Sequence, residues 1–96
     1  SYTGDSLAGR LTALQQAEAC YRRTHSVTAL SAAQTLLQQL SDTLLQQQQA
    51  AAAEVALTLA QQLMQQPEVF DLADYNLLLL HITQQLFVAG ATAYVS

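Results

Sequence analysis

Ala33-Gln-Thr-Leu-Leu-Gln-Gln-Leu40 and, 23 residues later, Ala56-Leu-Thr-Leu-Ala-Gln-Gln-Leu63 agree at six of eight positions, and Gln46-Gln-Gln-Gln-Ala-Ala-Ala-Ala53 lies between them. The fold turns on how that middle segment is read. It contains no Gly, Pro or turn residue, so local propensity alone would carry one helix through to Gln66, a rod of about 60 Å at 1.5 Å per residue. The apolar residues oppose this. Ala33, Leu36, Leu37, Leu40 and Leu44 form one helical stripe, and Ala52, Val55, Leu59 and Leu63 form a second, roughly 90° further around a continuous axis. One straight rod cannot bury both stripes against one partner, so the reading places a break between Gln46 and Ala51.

Helices are expected on either side of this pair. Leu7, Leu11, Leu14 and Tyr21 recur at helical spacing with Ala17 between them, behind a cap at Asp5 or Ser6, and Gly9 weakens the first turn. The stretch Thr24 to Thr28 offers side-chain oxygens for a link and a new cap. Pro67 ends the third helix near Gln66, because proline disfavours helical geometry in the residue before it. Asp71 and Asp74 supply a cap and a first-turn carboxylate for a fourth helix through Leu72, Tyr75, Leu79, Ile82 and Leu86. Gly90 is read as its terminator, leaving Ala91 to Ser96 as a tail.

Composition points the same way. Leu, Ala and Gln, all compatible with helix, number 18, 17 and 15 of the 96 residues, while Gly totals three and Pro one. Paired glutamines at 15–16, 38–39, 61–62 and 84–85 repeat every 23 residues, one helix and one connection per unit. The expectation is one all-α domain: a small antiparallel four-helix bundle or helical-hairpin array, with helices at about 6–23, 27–46, 51–66 and 71–89.

The charges narrow the function. Arg10, Arg22 and Arg23 face seven acidic residues, giving a net charge of −4 with no lysine and no basic stripe. Nothing is available to neutralise phosphates, so no nucleic-acid partner is expected, and anionic membranes are disfavoured. The apolar runs, such as Leu77 to Leu80, fall far short of the roughly 18 residues of a membrane span, so the chain reads as soluble with no transmembrane segment. The absence of an initiator Met at Ser1 fits a processed or excised fragment, and compartment is left open.

Catalytic machinery is not visible. His25 and His81 lie 56 residues apart without companion ligands at helical spacing, so no metal site is expected. Asp71 and Asp74 are explained by helix capping, and the three glycines Gly4, Gly9 and Gly90 are too dispersed for a phosphate loop. Cys20 is alone and reads as a buried thiol. No catalytic residue, metal or cofactor is assigned, and the chain is expected not to be an enzyme.

The fourth helix carries more apolar surface than one face can use. Leu77, Leu80 and Phe87 lie off its main stripe and form a candidate interface for a protein partner or a second copy; packing between two neighbours of the same chain would consume them equally well. Residues 56–90, with Ala56 to Met64, a turn through Pro67 and Tyr75-Asn-Leu-Leu-Leu, resemble in outline a helical hairpin of tetratricopeptide or pentatricopeptide type. The chain's own period departs from the 34 or so residues of those repeats; two units, 46 residues, come nearer HEAT repeats. Two functions follow as expectations: a non-enzymatic protein-interaction module, as an adaptor, chaperone or assembly subunit, or a structural piece of a longer helical-repeat scaffold or a designed bundle.

Overall fold

A computed structural model of the chain describes the backbone of residues 7–95 and the side chains of residues 7–87. Four α-helices, α1 (Leu7–Thr24), α2 (Val27–Gln46), α3 (Ala50–Gln65) and α4 (Leu72–Val95), are joined by short connections, the last of which holds a 3-10 turn at Pro67–Val69. No strand occurs among the described residues. Each helix packs on the next in sequence and α4 returns to α1, closing a ring of four; neither diagonal pair approaches as closely. With connections this short, consecutive neighbours must run antiparallel, so the domain is an up-down-up-down bundle.

The expected break between α2 and α3 is present, and its chemistry is a Schellman turn. The Gln49 N–H donates to the Leu44 carbonyl at 2.9 Å and the Gln48 N–H to the Leu45 carbonyl at 3.0 Å. Gln48 takes the left-handed conformation, φ 63°, that such turns usually give to glycine. The α1–α2 link uses the same backbone region at His25, φ 56°, after which Ser26 caps α2 by accepting from the Ala29 N–H at 3.4 Å. At the start of α4, Asp71 Oδ1 accepts from the Asp74 N–H at 3.1 Å, as a cap should. The cap expected at Asp5 or Ser6 lies outside the described residues.

One boundary differs from the sequence expectation. Helix α3 ends at Gln65 with Gln66 as its C-cap, as expected, but α4 passes through Gly90 to Val95, so Gly90 is not a terminator and Ala91 to Val95 are not a tail. Glycine costs only about 1 kcal/mol relative to alanine inside a helix, and Ala91 and Ala93 favour continuation.

The core is one cluster in which Leu14, Leu37, Leu40, Leu44, Leu59 and Ile82 are the largest wholly buried side chains. Helix α2 lies most extensively against α3, where the inward residues include Ala33, Ser41, Ala53, Ala56 and Ala60. Small side chains let the two axes approach. This corrects the second stripe: Leu59 and Leu63 are buried, Ala52 packs partly against the core, and Val55 is exposed, its place taken by Ala53, Ala56 and Ala60. Helix α4 meets the core through Tyr75, Leu78 and Ile82, with Leu79 and Leu86 half-buried; Leu72, expected on the inner stripe, is exposed.

Candidate functional site

At about 100° per residue, the inward residues of α4 (Tyr75, Leu78, Ile82) and the stripe Leu77, Leu80, Phe87 fall on nearly opposite sides of the helix. The outer stripe is open to solvent, with Leu77 at 63 %, Leu80 at 53 % and Phe87 at 76 % exposure. Packing among the described residues therefore does not cover this stripe. From Tyr75 to Ser96 the sequence holds no Asp, Glu, Lys or Arg, so the stripe runs along an uncharged helix. Leu77 also borders a groove between α3 and α4 of about 280 Å³, whose other walls include Ala51, Val55 and Leu78. Asp74 and His81 also line this groove, and Asp74 is shared with an adjoining hollow that Glu54 lines.

A second feature is polar and faces the core. Glu18, on the inner side of α1, is only 6 % exposed, and both carboxylate oxygens accept from Arg22, its Nε and Nη2 each at 2.6 Å. The i,i+4 spacing places the guanidinium directly over the carboxylate, and this pairing raises the Arg22 pKa. Tyr75 is buried nearby with its phenolic oxygen lacking any hydrogen-bond partner among the described residues. Burial pushes its pKa far above the ordinary tyrosine value; the Glu18 charge adds to the shift and Arg22 opposes it. Glu18 and Arg22 edge an otherwise mostly apolar cavity of about 160 Å³ walled by Leu30, Ala33, Leu63 and Phe70 among others, and Phe70 packs on the Tyr75 ring with centroids 5.2 Å apart. Sequence reading did not single out this cluster, although the Glu18–Arg22 spacing was a visible signal.

His81 belongs to a third cluster, with Gln49 and Gln85. Its Nε2 lies 2.6 Å from Gln49 Oε1 and 2.8 Å from Gln85 Nε2, and Gln85 Nε2 also donates to Gln49 Oε1. An amide oxygen only accepts and an amide nitrogen only donates, so His81 Nε2 either donates to Gln49 or accepts from Gln85, according to its tautomer. The trio ties the α2–α3 turn to α4. His25 is exposed and stacks edge-on against Tyr21, with ring centroids 5.5 Å apart. Cys20 is half-buried, not buried as expected, with Sγ 3.8 Å from Thr24 Oγ1.

Among the described residues no group of three or more His, Cys, Asp or Glu is placed to hold a metal ion, and no helix is long and apolar enough to cross a membrane. Compared with known proteins, the chain matches no protein-family model, no curated protein and no solved structure.

Proposed function

We propose that the chain is a non-enzymatic protein-interaction module whose outer α4 face, Leu77, Leu80 and Phe87, docks an apolar helix of a partner. The observation that carries this reading is the two-sided apolarity of α4: one side completes the core and the other stays in water. Leaving a leucine or phenylalanine exposed forgoes roughly 1.5–3 kcal/mol relative to burial, and three on one stripe make an adhesive surface. Affinity would come from desolvation, and the uncharged stripe itself offers no electrostatic steering. Binding of a fluorescent amphipathic helical peptide with a leucine stripe tests it. Wild type should bind and Leu77→Gln/Leu80→Gln, folded by circular dichroism, should not; equal binding by both, or none by wild type, rejects the reading.

A second reading is a structural unit of a longer helical scaffold. It is favoured by the glutamine pairs, one on each of the four helices at a constant 23-residue step. Sequence flanking the chain in its parent protein should then continue the step.

A further inference from the structure

Resting on the docking reading above, we infer that the partner segment is a basic amphipathic helix, laid along the α3–α4 groove so that an apolar side chain enters between Val55 and Leu77 while a lysine or arginine meets Glu54 and Asp74. The groove is lined by small or apolar Ala51, Val55, Leu77 and Leu78 with Asp74 and His81, and the hollow that adjoins it at Ala51, Val55 and Asp74 brings in the Glu54 carboxylate from α3. Neither carboxylate has an ion pair among the described residues. Asp74 sits in the first turn of α4, where the helix dipole accounts for an acid. Glu54 lies beyond the first turn of α3 and has no such account.

The chain's own cations argue against a second copy as the occupant. Arg22 is held by Glu18, and Arg10 donates to Thr43 Oγ1 at 2.8 Å. Among the described residues only Arg23, on α1, is left without a partner. Two copies meeting at this groove would bring four unpaired carboxylates together with little to neutralise them, and like charges in juxtaposition select against such a pairing. A segment carrying lysine or arginine beside its apolar stripe satisfies both features of the groove at once.

The experiment uses three helical peptides with one leucine stripe and flanking positions filled by Lys, Gln or Glu, titrated into the full chain at low and high salt. The Lys peptide should bind at least tenfold more tightly than the Glu peptide at low salt, and the ratio should shrink at high salt as the charges are screened. Glu54→Gln/Asp74→Asn, folded by circular dichroism, should collapse the ratio. Equal binding by all three overturns the basic-partner inference and leaves the docking face standing. Failure of all three overturns the docking face itself. Lys-peptide binding that survives Leu77→Gln/Leu80→Gln also overturns the inference, because it would then be unspecific attraction to an acidic protein.

Discussion

The Ser41 hydroxyl donates to the main-chain carbonyl of Ala53 at 2.8 Å across the α2–α3 interface, inside the core. The bond satisfies a buried polar side chain at the point where the two helices are lined by alanine. Ser41→Ala should cost about 0.5–1.5 kcal/mol, the usual net worth of such a bond. Ala56→Leu, on the same interface and wholly buried, should cost about 1–3 kcal/mol through overpacking. Urea unfolding midpoints of the two variants check both values, and a neutral Ala56→Leu would mean that the helices are not closely apposed.

Gln48 occupies a left-handed position that costs a residue with a Cβ about 1–2 kcal/mol. Gln48→Gly should therefore stabilise the fold, by less than that amount because glycine also loosens the unfolded chain. Gln48→Val should destabilise it. Thermal melts of the pair should move in opposite directions from wild type.

Tyr75 combines a buried hydroxyl, unpartnered among the described residues, with a raised pKa. Tyr75→Phe should be neutral or stabilising near pH 8, since it deletes an unsatisfied group. The folded state holds the Tyr75 proton more tightly than the unfolded chain. Its contribution is thus fully present below the ordinary tyrosine pKa of about 10 and is lost as pH rises beyond it. Wild-type stability should fall from about pH 10 upward, and the decline should be shallower in Tyr75→Phe; denaturant midpoints at pH 8 and pH 10.5 measure the difference.

Arg22→Ala would leave the Glu18 carboxylate buried without its partner. Because the guanidinium itself is mostly solvent-exposed, the expected loss is about 1–3 kcal/mol, below that of a fully buried pair. Arg23→Ala, at an exposed neighbour, should stay within about 0.5 kcal/mol of wild type. Equal effects would mean that the ion pair does not hold Glu18 in place.

The helix count and the α2–α3 break were legible in the sequence because the phase of the leucine pattern shifts across Gln46 to Ala53, a signal that survives even where every residue favours helix. The manner of the break was not legible, since glutamine gives no hint of a left-handed turn. Val55 misled for a related reason: hydrophobicity points a valine inward, whereas the close approach of α2 and α3 selects Ala53, Ala56 and Ala60. In α4, four successive leucines from Leu77 to Leu80 cover every direction around the axis, so periodicity could not separate the buried Leu78 from the half-buried Leu79. The Glu18–Tyr75 neighbourhood joins residues 57 positions apart and needed the bundle's closure to be seen.

Amide chemical-shift changes in the isotope-labelled chain, followed as the Lys-flanked leucine peptide is added, locate the docking face on the outside of α4. Perturbations should centre on Val55, Leu77, Leu80 and Phe87 and leave the outer face of α2, around Thr35, unchanged. Shifts centred on α1 or α2, or none at saturating peptide, would contradict it.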